Sequence, residues 1–475
     1  MIGTTKRQAS LFYFAFAKEA AAITDELLDP LDHLLHDPQL LNLASQALAK
    51  RSTRSADFGR PSIAPDRLVR CAILKHIKKW SFRQLEREVR ASLLYRRFTL
   101  FYEDPIPDFT SFSRTFALFG EQGTARLHAR VVQIAREQTV AQGLKLRTDT
   151  TAVETNIHYP TDSSLLADSI RVLTRGLKRI SAGCQSQPLQ VIDHHRAAKR
   201  RVLEICRAAK TLTEAGRQKL KDSYGKLISL TRGLTRQSAK VLEQLQSGKL
   251  VARAHTLGSV LLAEAQLRHF LPLTQRVIAQ AQARIFKGQT RYPDKILSLF
   301  EEHSVVIRKG KAHKPNEFGR LVRIDEVENG IVSNYHIASQ NLADQQQWKP
   351  ALQGHQEIFG RAPYLATADR GFWSTANESI AEQLGVTRTV LPGRGRLSKE
   401  RAARQKERWF RRGQGWRAGI ESRISTLKHP FAMARAYYKG AAGFERYVGF
   451  CVMAQNLVAI VRTKTKQTKP LCRSG

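Results

Sequence analysis

Apolar residues recur with a helical period through most of this chain and switch to a period of two in a few short places. Residues 10–50 form two or three helical patterns. The stretch "RSTRSADFGRPSIAPDR" that follows is rich in Gly, Pro, Ser and Arg, and places a boundary near residue 60. Two more helices are predicted in "DRLVRCAILKHIKKW" and "SFRQLEREVRASLLYRRF", separated at "WS". A third, "PDFTSFSRTFALFG", has Asp108, Thr110 or Ser111 available as its N-cap. Short helices with tight connections suit a helix-turn-helix-like unit, and equally a bundle that only packs or dimerises.

At "LKLRTDTTAVET" the pattern alternates, with Leu144, Leu146 and Thr148 on one face and Arg147, Asp149 and Thr151 on the other. This is a strand that presents Asp149. From about residue 176 to 290 the helical period returns, and Leu220, Leu227, Leu234 and Val241 recur every seven residues, the pattern of a helical-hairpin insertion. Strands resume in "SVVIRKGK", "RLVRIDEV" and "IVSNYHIAS", with "ENG" as the turn between the last two. "YLATA" is a further strand that ends at Asp369, and "TRTVLP" is a last buried one. A helix over Arg417–Lys428 carries Trp416, Ile420, Ile424 and Leu427 as an apolar stripe, with Arg417, Glu421 and Lys428 along its edge. Arg423 falls on the far side of that helix, where a change is expected to be tolerated.

The fold class is therefore α/β, a mixed sheet interrupted by a large helical insertion and preceded by a helical N-terminal domain. The boundaries run as N-terminal helices and linker over 1–60, a helical DNA-binding domain over 61–135, and a core in two pieces, 140–175 and 292–460. The insertion occupies 176–291 and a basic tail 461–475.

Charge narrows the partner. Lys and Arg number 78 against 41 Asp and Glu, a formal net charge of +37 spread along the chain, which points to a polyanion and first of all to nucleic acid. An anionic membrane surface could use the same charge, but no run of 18 apolar residues is present to span one. "KRQASLFYFAFAK" imitates a signal peptide, yet its apolar run is short and continues into an ordinary amphipathic helix. The five cysteines have no CxxC spacing, so neither a zinc site nor a disulfide framework is expected, and a reducing cytoplasm is the simpler compartment.

Three carboxylates stand out by position: Asp149 in a strand, Asp369 at a strand's C-terminal end, where α/β sheets gather their ligands, and Glu421 beside a basic segment. Each alone could be an N-cap or a salt-bridge partner. Together they suit Mg2+ or Mn2+, which prefer carboxylate and water ligands, and a pair of such ions serves in-line phosphoryl displacement. Residues 388–423 carry twelve Lys and Arg against three Glu, and the basic loop expected at 394–412 could bind the DNA backbone or be merely a solvated charge run. "DHH" at Asp193–His195 lies in a charged helical stretch and is taken as a solvated face. Trp373 is either packing or a platform for an unpaired base.

"TDTTAVETN", "ATADRGF" and "RAGIESRISTLK" resemble the three catalytic segments of the bacterial insertion-sequence transposases of the DDE type, whose core is RNase H-like. In one group the third segment follows Y-x2-R-x3-E-x6-K. Arg417, Glu421 and Lys428 reproduce its R, E and K, while Gln414 stands where the tyrosine would be. "NIHYPTDSSLL" and "PDFTSFSR" are also similar to pieces of this family. The resemblance implies that Asp149, Asp369 and Glu421 hold two Mg2+ ions at the ends of a mobile element. It further implies that Arg417 and Lys428, with Arg370 and Trp373 beside the second aspartate, grip the DNA. The partners it implies are double-stranded DNA with terminal inverted repeats, target DNA and a second copy of the chain on paired ends, with no membrane, in the cytoplasm on the nucleoid. A nuclease of the same fold without strand transfer, and an inactive DNA-binding descendant, are the alternatives.

Overall fold

A computed structural model describes residues 2–5, 23–50, 62–185, 189–211, 213–308, 315–340 and 342–468. The signal-peptide-like run, most of the connector after residue 50 and the end of the basic tail lie outside the described residues. The chain forms two compact units, one of residues Met1–Asn156 and Ile307–Gly475, the other of Ile157–Val306.

The first unit begins with helices α1 (Leu28–Leu35), α2 (Pro38–Ala49), α3 (Pro65–Ile77), α4 (Phe82–Ala91), α5 (Leu93–Phe98), α6 (Phe109–Ala117) and α7 (Gly120–Glu137). Their starts follow local chemistry. Ser81 caps α4 in a reciprocal capping box with Gln84, and the Asp108 carboxylate accepts from the backbone of Thr110 and Ser111 to start α6. The Thr110 and Ser111 hydroxyls, which donate to the same carboxylate, together with these amides hold the exposed Asp108 carboxyl far below its ordinary range. Strand β1 (Lys145–Thr155) then leads out of this unit.

The second unit consists mainly of α8 (Asp162–Gly183), α9 (His195–Ala208), α10 (Glu214–Gln246) and α11 (Leu257–Phe286). Leu227, Leu234 and Val241 of the heptad pattern are buried in its core with Leu165, Leu173 and Leu267. Asp193 of "DHH" pairs with Lys178 at 2.7 Å.

After the short strand β2 (Val305–Ile307) the first unit resumes with β3 (Glu317–Glu326), β4 (Val332–Ile337), α12 (Asp344–Phe359), β5 (Leu365–Ala368), α13 (Thr375–Gln383), β6 (Arg388–Val390), α14 (Lys399–Lys406), α15 (Arg408–Lys428), β7 (Arg435–Ala436) and α16 (Ala441–Thr468). The expected turn between β3 and β4 is present, with Asn329 and Gly330 both at positive φ. Two differences from the sequence reading matter. Much of the basic run before Glu421 is helical, and the helix that carries Glu421 begins at Arg408, nine residues earlier than its apolar stripe indicated. Gly413 and Gly415, weak helix formers in sequence, sit inside it.

β1 is the centre of the sheet. It runs antiparallel to β3 and parallel to β5, β5 runs parallel to β6, β4 lies antiparallel on β3, and β7 pairs with the far end of β1. One face of the sheet packs Leu146, Ala366 and Ala368 on Trp348 and Leu352 of α12. On the opposite face Leu365 and Val390 meet Phe410 of α15. Further along that face Val153, Val322 and Ile324 join one core with the N-terminal helices and α16. α16 is long and apolar enough to cross a membrane by length and composition, although no unbroken run of 18 apolar residues marks it in the sequence, and 83% of its apolar window is buried within the chain. It is the core helix of this unit.

Candidate active site

Strand register decides where the two aspartates stand. β1 and β5 pair in parallel from Lys145↔Leu365 to Thr148↔Ala368, so the next position on each strand is Asp149 and Asp369. Neighbouring strands lie about 4.8 Å apart, and equivalent positions of parallel strands point to the same face. Asp369 keeps extended backbone, φ −75° and ψ 177°, so the alternation carries through it. Leu365, four positions before Asp369, faces α15, and so do Arg147, two positions before Asp149, and, by the period of two, both aspartates.

Helix α15 lies over this face because its glycines allow close approach. A Cβ at Gly413 would stand 2.6 Å from Val390 Cγ2, and one at Gly419 would stand 2.3 Å from Arg147 Nη1. Arg147 anchors the helix to the strand: Nη1 donates to the carbonyl of Trp416 at 2.5 Å, and the guanidinium lies 4.8 Å from the centre of the Trp416 ring. Its other nitrogens donate to fully buried Glu326, at 2.8 Å from Nε and 2.6 Å from Nη2. Arg423 shares that carboxylate, its Nε donating to Oε1 at 3.1 Å. Arg423 is therefore not the tolerant position that its place on the helix predicts.

A cavity of about 440 Å3 is lined by Asp369, Arg370, Pro392, Gln414, Arg417 and Glu421. The structure thus brings Asp369, Arg370, Arg417 and Glu421 together. Glu421 is 71% exposed at its side chain and lies 3.5 Å from Arg417 Nη2. Lys428 is not part of this lining; seven residues further along α15, it stands about 10 Å along the helix axis. Trp373 is half-buried beneath the guanidinium of Arg401, 4.5 Å from its ring centre, and packs on the Trp348–Phe372 cluster.

The sequence reading missed Asp344, Arg147 and Glu326. Asp344 Oδ1 accepts from the Thr150 hydroxyl at 2.9 Å, and Asp369 Oδ1 accepts from the backbone of Gly371 at 2.7 Å. A Cβ on Gly371 would stand 2.6 Å from Asp344 Oδ2 and 2.8 Å from Asp369 Oδ1, so the two carboxylates converge on a cradle that only glycine leaves open. Such a donor set, hard oxygens only, fits Mg2+ or Mn2+. Among the described residues no three His, Cys, Asp or Glu side chains stand close enough as they are to hold an ion. Asp344 carried no signal in sequence, because its approach to Asp369 comes through the fold.

Residues 17–118 match the family model described as Transposase domain (DUF772). The match covers the N-terminal helices up to α6 and supports a transposase family and a DNA-processing role for the chain. No curated protein and no solved structure matches.

Proposed function

We propose that this chain is a DDE-type DNA transposase with an RNase H-like core, which cuts the ends of an insertion sequence and joins them to target DNA by two-metal-ion phosphoryl transfer. The observation that carries the reading is the parallel register that sets Asp149 beside Asp369, on the sheet face covered by the helix of Glu421. Asp149, Asp369 and Glu421 would hold two Mg2+ ions, with Mn2+ as a substitute. When bound, the ions activate the attacking oxygen and stabilise the leaving one. Arg417, from the wall of the same cavity, offers a planar fork to a phosphate beside the cut, and exposed Arg370 adds charge at the rim. Lys428 extends the line of cations along α15 as a point charge for the neighbouring backbone, and Trp373 borders the second aspartate.

The substrates are double-stranded DNA with terminal inverted repeats and a target duplex, handled by a homodimer on paired ends in the cytoplasm, without a membrane. The net charge of +37 suits such a load. The test is incubation of the full chain with the DNA that flanks its coding region in Mg2+. Joined products are expected. Cut ends that are never joined would indicate the nuclease, and bound but uncut DNA the inactive descendant.

A further inference from the structure

Another cavity in the first unit, of about 390 Å3, shares no lining residue with the Asp369 cavity. It lies between the end of α3, the turn into α4, the start of α4 and the segment that joins β7 to α16. Trp80, Phe82, Tyr437, Tyr438 and Tyr447 give it aromatic walls, and Lys75 of α3 lines it among them. Lys75 is only 5% exposed. Its ammonium lies 4.9 Å from the ring centres of Phe82 and Tyr438 and 5.8 Å from that of Tyr447.

No carboxylate among the described residues contributes to the electrostatics of this ammonium. The groups that face it are His76 beside it on α3, Lys79 on the turn, Tyr447 and Cys451 of α16, and Tyr438, whose ring also takes Arg446 at 5.4 Å; of these the Cys451 sulfur alone favours the ammonium electrostatically, and burial outweighs it. A buried ammonium without a carboxylate is costly, and desolvation pushes its pKa down to about 8. An apolar side chain of the same length would serve packing better, so the position is explained by an anion that enters from the cavity. The ten-residue helix α4 turns its N-terminus to the same space, adding its positive end. At the rim Tyr437 is 60% exposed, an aromatic face in water beside a buried cation.

We propose that this cavity seats one unstacked nucleotide of the DNA substrate, with its phosphate at Lys75 and the N-terminus of α4 and its base on the Tyr437 and Trp80 rings. The inference rests on the reading that the chain handles DNA, and not on the metal chemistry. A nucleotide supplies both the anion and the flat ring that the walls match. A duplex keeps its bases stacked and cannot offer the ring, whereas a strand end or a single strand can.

The test uses the full chain, fluorescence anisotropy, and three probes: a short oligo(dT), a short mixed duplex, and thymidine monophosphate as competitor. Moderate salt suppresses long-range attraction by the net charge. Lys75→Met and Tyr437→Ala, each checked for folding by circular dichroism, are expected to bind oligo(dT) roughly tenfold more weakly while duplex affinity stays within about twofold. Tyr437→Ala changes no charge and removes an exposed ring, so it decides the matter even if Lys75→Met folds poorly. Wild-type affinity for oligo(dT) should fall as the pH rises from neutral to about 9, and this dependence should be absent in Lys75→Met. Wild-type oligo(dT) affinity in both folded variants would overturn the seat. Thymidine monophosphate that binds as tightly as oligo(dT) would overturn the DNA source in favour of a free nucleotide. A wild-type chain that binds no nucleic acid would overturn the DNA reading itself.

Discussion

Glu326→Gln removes one charge and almost no volume from beneath the candidate active site. Glu326 is fully buried and accepts from Arg147, two residues before Asp149, and from Arg423, two residues after Glu421. It is the tie between the strand of the first carboxylate and the helix of the third. Breaking a buried ion pair by removing one partner costs about 3–5 kcal/mol, because the other charge stays buried. Arg147 is 11% exposed at its side chain and Arg423 21%, so neither can turn fully to water. Arg147 keeps the Trp416 carbonyl and ring, which places the loss near the lower end, about 3 kcal/mol. For a unit of this size that lowers the Tm by roughly 4–5 °C. Denaturant titration followed by circular dichroism measures the free energy directly. With α15 released, Glu421 loses its fixed distance from the aspartates, and DNA cleavage should fall more than DNA binding. A Glu326→Gln protein within about 0.5 kcal/mol of wild type would refute the tie, since that is the scatter of an ordinary surface change.

The other perturbations are local. Within α15, Gly415→Ala meets nothing within 4 Å and should stabilise by about 1 kcal/mol, whereas Gly413→Ala pushes a methyl against Val390 and should destabilise by about 1–2 kcal/mol; opposite signs in thermal melts are the readout. Lys75 has a depressed pKa of about 8, so its burial penalty is fully present below that value and is relieved as the pH rises towards the unfolded value near 10.5. Lys75→Met should therefore exceed wild type in stability by about 3 kcal/mol at neutral pH, a gap that closes between about pH 8 and pH 10.5 in denaturant titrations. Arg417→Lys keeps the charge and loses the two-point fork, so single-turnover cleavage of pre-bound DNA should slow by an amount equivalent to about 1–3 kcal/mol.

Much of this architecture is legible in the residues themselves. The period of two around Asp149, the strand ending at Asp369, and the stripe of Trp416, Ile420, Ile424 and Leu427 are local patterns, and local patterns survive into the fold. The heptads of α10 are of the same kind. What could not be read is whatever depends on pairing between distant segments. Arg423 looked free because helix geometry alone cannot show a buried glutamate on a strand nearly a hundred residues earlier. Asp344 is an ordinary residue at the start of a helix until Thr150 and Gly371 are brought to it. The start of α15 is not legible in the sequence because glycines that weaken a helix in isolation are the ones that let this helix settle on the sheet. Lys75 was hidden for the opposite reason. In a chain with 78 basic residues, one buried lysine in a helical pattern carries no distinguishing mark.

The most direct test of the central claim is cleavage of terminal DNA in Mg2+ by Asp149→Asn, Asp369→Asn and Glu421→Gln, each shown to be folded and to bind the same DNA. These substitutions preserve shape and remove only the charge a metal ligand needs. The account predicts that all three bind DNA about as well as wild type and that none cuts it. A folded variant of any of the three that cuts at near wild-type rate would contradict it.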